Sequence, residues 1–261
     1  MKQYILFLAL CINPDFSSAE ETQNPLQPRI VGGRNATQNE FPFVVALLLD
    51  RDFTCSGSII NQYKVLTAAH CINDTTYDQW LVRAGFYYWH ATNVIERYVG
   101  NMKMHRRYET KGDPTYDIGI MDVTESFEFN AAIHPVVLPR FHRRIKPGTK
   151  AVAIGWGLSQ FKPTREYPLI LQALEVVTIG TRRCRTMWKE LNKTICAVGK
   201  SDSENGCIGD SGGPMMVGNV QWGMIFRSTA NCTGGGPIKF LEISRFTKWI
   251  RRFSKIPRQN N

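Results

Sequence analysis

Gly206-Cys207-Ile208-Gly209-Asp210-Ser211-Gly212-Gly213-Pro214 is the stretch of this 261-residue chain whose reading decides the rest. Its glycines allow a backbone path that a Cβ would obstruct, so successive amides can turn toward one point. If Ser211 attacks a carbonyl, the N–H groups of Gly209 and Ser211 can hold the oxygen on which negative charge develops. Taken alone, the stretch is equally a Gly- and Ser-rich turn of any β-protein. Its company distinguishes it.

A serine hydroxyl is a poor nucleophile near neutral pH, so it needs a base, and the base needs an orienting anion. Leu66-Thr67-Ala68-Ala69-His70-Cys71 places a histidine after an apolar strand, beside a cysteine that can pin it. Thr115-Tyr116-Asp117-Ile118-Gly119-Ile120-Met121 places an aspartate at the head of an apolar run, where it can be buried. A lone His or a lone Asp is usually structural. Here the three contexts occur together, in the order His, Asp, Ser.

With Arg29-Ile30-Val31-Gly32-Gly33, Gly155-Trp156-Gly157 and Trp222-Gly223 added, the sequence resembles the trypsin/chymotrypsin family of secreted serine proteases from about residue 29 to 255. The resemblance implies an all-β fold: two six-stranded antiparallel β-barrels with the active site between them and a C-terminal α-helix. It implies that His70 is the general base, Asp117 its orienting partner and Ser211 the nucleophile, with Gly209 and Ser211 forming the oxyanion hole. It further implies an activation step. Cleavage after Arg29 by another protease would free the Ile30 amine to pair with the Asp210 carboxylate and order the oxyanion loop, leaving the uncut chain nearly inactive.

Four positions and one insertion depart from the family pattern. Asn205 stands where trypsin-like enzymes carry the aspartate at the base of the specificity pocket, and an amide cannot neutralise a buried Lys or Arg. Ile238 aligns with a pocket glycine and is expected to shorten the pocket, while Gly223 is expected to leave its entrance open. Small or medium apolar residues before the scissile bond are therefore expected. Lys239 offers a second reading, an acidic substrate side chain, weakened because neighbouring strand residues face opposite ways. Gln221, just before Trp222-Gly223, replaces a serine that supports the buried aspartate in active relatives, and Met224 to Asn231 reads as an insertion at the pocket rim. Phe86 replaces a calcium-binding glutamate, and no metal or cofactor is expected.

The first nineteen residues have a short positive start at Lys2, an apolar run from Tyr4 to Ile12 and small residues at Ser17-Ser18-Ala19, the pattern of a secretory signal peptide. Residues 20–29 form a polar, proline-containing linker that reads as an activation propeptide, and 30–261 as one peptidase domain. Beyond Cys11 six cysteines remain: Cys55, Cys71, Cys184, Cys196, Cys207 and Cys232. An even number in an exported chain favours disulfides over metal ligation, and their spacing leaves the pairing open. The family resemblance implies Cys55–Cys71, Cys184–Cys196 and Cys207–Cys232. Four sequons, at Asn35, Asn73, Asn192 and Asn231, are candidate glycan sites.

From Ile30 onward, short apolar runs bounded by Gly, Pro, Asn or Asp suit many short antiparallel strands. Near the end Phe246, Trp249, Ile250 and Phe253 fall at helical spacing, so a surface helix closes the chain. The formal charge is +10. Six bases fall between Arg245 and Arg258 with no acid among them, and Arg140, Arg143, Arg144 and Lys146 form a second cluster. Both read first as solvated faces and second as polyanion sites. There is no nucleic-acid-binding motif and no stretch that spans a membrane. The expected function is a secreted, extracellular serine endopeptidase made as a zymogen, acting on polypeptide substrates and subject to serine protease inhibitors. The alternative is a catalytically weak homologue acting as a cationic binding protein.

Overall fold

Val44–Leu49 is an unbroken apolar run, VVALLL, and forms a strand buried along all but its last residue. Such runs, interrupted by turns every few residues, build the whole molecule. The computed structural model describes residues 33–157, 167–186, 192–199, 210–227 and 236–255. Its strands in the N-terminal half are β1 (Arg34–Asn35), β2 (Val44–Leu49), β3 (Asp52–Asn61), β4 (Lys64–Thr67), β5 (Trp80–Ala84), β6 (Ile95–Met104) and β7 (Gly119–Val123). Those of the second half are β8 (Lys150–Gly155), β9 (Gln172–Ile179), β10 (Thr194–Val198), β11 (Pro214–Val217), β12 (Val220–Arg227) and β13 (Ile238–Glu242).

In the order β2-β3-β4-β7-β6-β5 the first six close into an antiparallel barrel. The second barrel runs β8-β9-β10-β13-β12-β11 and returns to β8, with β1 added at the outer edge of β9. Two closed six-stranded barrels are thus present, as the resemblance implies. Closure removes the open sheet edges that a meander of this length would otherwise leave exposed.

Aromatic stacking joins the barrels. Phe86, just past β5, stacks on the fully buried Trp156, just past β8, with ring centroids 4.7 Å apart and planes at 14°. Trp89 meets the edges of both rings. Phe86 is therefore a packing residue of the barrel junction.

The helices are short: α1 (Ala69–Ile72), α2 (Arg106–Lys111), α3 (Thr181–Cys184) and α4 (Thr247–Ser254). As the 3.6-residue period predicts, Ile250 of α4 and Phe246 just before it seal the core, while Lys248, Arg252 and the capping Lys255 face outward. Among the described residues no helix is long and apolar enough to cross a membrane.

Candidate active site

α1 carries His70 at the end of β4, where the buried Val65–Leu66–Thr67 run stops and the chain turns. Asp117 comes to it from the first barrel's last connection. There Asp113 caps a single helical turn, Pro114–Tyr116, by accepting from the Thr115 amide at 3.0 Å and the Thr115 hydroxyl at 2.7 Å. The Thr115 hydroxyl is the main cause holding the Asp113 carboxyl below its ordinary pKa. This turn delivers Asp117 as a buried side chain immediately before β7.

Both Asp117 oxygens are used by His70. Oδ1 accepts from the His70 backbone N–H at 2.8 Å, and Oδ2 lies 2.6 Å from the ring Nδ1. A carboxylate only accepts, so Nδ1 carries the proton and Nε2 is left with its lone pair. The ring itself is about one-third exposed, at 35% of its side-chain surface, so the lone pair has access to solvent and substrate.

Ser211 reaches the same place from the second barrel. Its carbonyl accepts from the Ser56 N–H at 2.8 Å. Ser56 is next to Cys55, which is disulfide-bonded to Cys71, the neighbour of His70. The next residues are held as firmly: Gly212 N–H donates to the Ile225 carbonyl at 2.7 Å, and Ile225 N–H to the Gly213 carbonyl at 2.8 Å. Gly212 sits at φ +83°, and a Cβ there would overlap the Ser56 carbonyl and the Thr67 hydroxyl. Only glycine fits. Ser56 and Thr67, whose hydroxyl donates to the Ser56 carbonyl at 2.9 Å, were not singled out from the sequence. Their only signal was adjacency to Cys55 and to the His70 motif.

His70 also lies with the two sulfurs of Cys55 and Cys71 inside a group whose ligand atoms are within 4.8 Å of one another. Those sulfurs are bonded to each other, so neither is a thiolate and the group is not a ligand set. Cys184–Cys196 forms the second bridge, while Cys207 and Cys232 lie outside the described residues.

Asp210 is 1% exposed, and its Oδ1 accepts from the Gly157 N–H at 2.7 Å. A Cβ at Gly155 or Gly157 would run into that carboxylate, which explains two of the glycines flanking the β8 end. Arg29, Ile30, Asn205 and Gly209 lie outside the described residues.

The structure moves three expectations. Gly223 does not stand at an entrance: it lies inside β12, and a Cβ there would sit 2.9 Å from Phe240 Cβ and 3.1 Å from Met215 Cβ in the barrel core. Gln221 is not beside His70 or Asp117. Its N–H donates to Val137 and its side-chain amide to the Gly223 carbonyl, at the far end of β12. Met224–Arg227 is no inserted loop, because it pairs with β13. The physical reason is register. Gly212 and Gly213 bond Ile225, so the β12 position just beyond the nucleophile segment is Phe226 rather than Gln221.

Ile238 is fully buried among Ile225, Ala197 and Phe240. Lys239 is also buried, with its Nζ 4.9 Å above the Phe226 ring. Of the sequons, Asn35 is in β1, Asn73 follows α1, Asn192 is exposed, and Asn231 is outside the described residues.

Residues 30–250 match the family model described as Trypsin. A relative, alkaline trypsin C of Manduca sexta, is 29% identical over 260 residues, covering 94% of this chain and 98% of the relative. Among solved structures, mouse neuropsin, described as a serine protease expressed in the limbic system of the brain, superposes with a TM-score of 0.76 at 26% identity, covering 85% of this chain and 98% of that one. Human heparin binding protein shares the fold with a TM-score of 0.74 at 20% identity, covering 88% and 99%.

Proposed function

Because the chain belongs to the trypsin family of serine proteases, we propose that it is an active endopeptidase in which Ser211, His70 and Asp117 form the catalytic triad. The observation that carries this reading is the doubly bonded Asp117–His70 pair, which fixes the ring and its tautomer. From there the chemistry follows. His70 Nε2 takes the Ser211 proton as the hydroxyl oxygen attacks the substrate carbonyl. The imidazolium so formed is stabilised by Asp117 and returns the proton to the leaving amine. The amides of Gly209 and Ser211 would hold the oxyanion. Water then repeats the sequence on the acyl-enzyme.

The proposed chain is secreted and latent until another protease cuts after Arg29. Two disulfides fit an oxidising compartment. The buried Asp210 carboxylate, at the head of the nucleophile segment, is the group the Ile30 ammonium would meet. Asn205 and Ile238 favour small or medium apolar residues before the scissile bond, and serine protease inhibitors would compete for the same cleft. A second reading, a weak enzyme that mainly binds, draws support from Phe226. It follows Ile225, whose backbone bonds Gly212 and Gly213, and has no hydroxyl to offer Asp117.

The test is Ser211→Ala against wild type, both cut after Arg29. Labelling by a fluorophosphonate and peptide hydrolysis should both vanish in the variant, a loss on the order of a millionfold in rate. Equal turnover in the purified variant would overturn the triad. A folded wild-type chain that, once cut after Arg29, neither labels nor hydrolyses would select the binding reading.

A further inference from the structure

We propose that the two basic clusters of the sequence form one binding face for a linear sulfated polysaccharide, running along α4. They are about a hundred residues apart in the chain, yet the fold locks them together. His142 N–H donates to the Ser244 carbonyl at 3.1 Å, and the Thr247 hydroxyl donates to the Pro139 carbonyl at 3.0 Å. Arg245 approaches the His142 ring at 2.9 Å, and Lys248 Nζ stands 4.2 Å above the Phe141 ring. Exposed Arg140 and Arg143 therefore flank Lys248 at the N-terminal end of α4, with Arg144 and Lys146 following in the same loop, and the outward stripe continues along the helix to Arg252 and Lys255.

The other flank of α4 is basic as well. Lys103 Nζ lies 5.3 Å from the Phe253 ring. Arg107 and Lys193 both lie over Tyr116, at 4.4 and 4.0 Å, and Tyr116 stacks on His105, which in turn meets Trp249. His105 feels this crowding: burial, and then Arg107 and Lys193, lower its pKa below the ordinary histidine value. The charge of the face comes from the lysines and arginines.

Few acids answer these cations. Glu242 engages Arg245 and Asp113 faces Arg107, but among the described residues Lys248, Arg252, Arg143, Arg144 and Lys146 form no ion pair. Aromatic faces hold Lys103, Lys193 and Lys248 in place without cancelling their charge. A row of uncompensated charge along a helix about 12 Å long, continued on both flanks, matches a polyanion with many charges in line rather than a single anion. The bonded disulfides fit an oxidising setting, where sulfated glycans are the chemically suitable partner and nucleic acid is not.

The test uses the full chain on immobilised heparin, with Arg143→Glu, Lys248→Glu and Arg252→Glu as separate variants. Arg51→Glu, at the exposed β2–β3 turn, gives the same charge change elsewhere. Wild type should be retained at about 0.15 M salt and released at higher salt. Each belt variant should bind about tenfold more weakly, and Arg51→Glu less than twofold. Equal losses at Arg51, equal binding of desulfated heparin, or binding to phosphatidylserine vesicles without binding to heparin would each overturn the proposal. The measurement is independent of catalysis, so it stands or falls apart from the protease reading.

Discussion

Gly223→Ala separates two accounts of β12. If Gly223 lined a pocket entrance, an added methyl would touch substrate and leave stability unchanged. In the structure the new Cβ would lie 2.9 Å from Phe240 Cβ, 3.0 Å from Met215 Cε and 3.1 Å from Met215 Cβ. The Met215 terminus can swing aside. The two Cβ atoms cannot, because both are fixed by strands paired on each side. Overpacking of this kind costs about 1–3 kcal/mol. Alanine's smaller backbone entropy offsets about 0.5–1 kcal/mol of that. A net loss of about 1–2 kcal/mol lowers Tm by about 2–8 °C in a domain of this size. The assay is thermal unfolding by circular dichroism in the Ser211→Ala background, which prevents autolysis. It is paired with kcat/KM ratios across peptides differing only before the scissile bond, measured in the Ser211 background. An unchanged Tm with altered ratios would refute the core placement.

Ile238→Ala should widen acceptance toward Phe and Tyr, read as those same kcat/KM ratios, at a stability cost of about 2–5 kcal/mol because the residue is fully buried. A profile dominated by Arg and Lys in the wild type would overturn the pocket reading, and one dominated by Asp or Glu would shift it to Lys239. Arg29→Gln should be secreted normally and stay latent after trypsin treatment, and full activity in that uncut chain would refute activation at Ile30. Asp210→Asn, cut after Arg29, should unfold close to the wild-type temperature yet hydrolyse poorly. The amide oxygen can still accept from Gly157, but the negative charge is gone; wild-type kcat in that variant would remove Asp210 from activation.

The His70–Asp117 pair and the tight turn after Ser211 were legible because each is announced by residues beside it in the chain: Ala69 and Cys71 around His70, the apolar run after Asp117, the glycines around Ser211. α4 was legible for the same reason, since a 3.6-residue period is a local signal. Gly223 and Gln221 were misplaced because Trp-Gly is a two-residue motif, and its position depends on cross-strand register. Sequence shows a strand but not which residue faces which. The bond between Gly213 and Ile225 sets that register, and the five-residue slide from Gln221 to Phe226 changes which side chain adjoins the Ser211 segment. The joined basic face was hidden in the same way. Nothing in the sequence brings His142 to Ser244.

These non-local bonds also divide the work around Ser211. On its C-terminal side, Ser211 O accepts from Ser56, Gly212 N–H and Gly213 O both bond Ile225, and Gly213 N–H donates to Asp210 O at 2.8 Å. The disulfide Cys55–Cys71 couples that anchor to His70, so Ser211 and His70 share one support. On the proposed activation route, the cut after Arg29 would act on the N-terminal side of Asp210, where Gly209 would present its amide. In this arrangement a latent chain would be deficient in oxyanion stabilisation rather than in the triad, which is why loss of the Asp210 charge should depress turnover while leaving the fold intact.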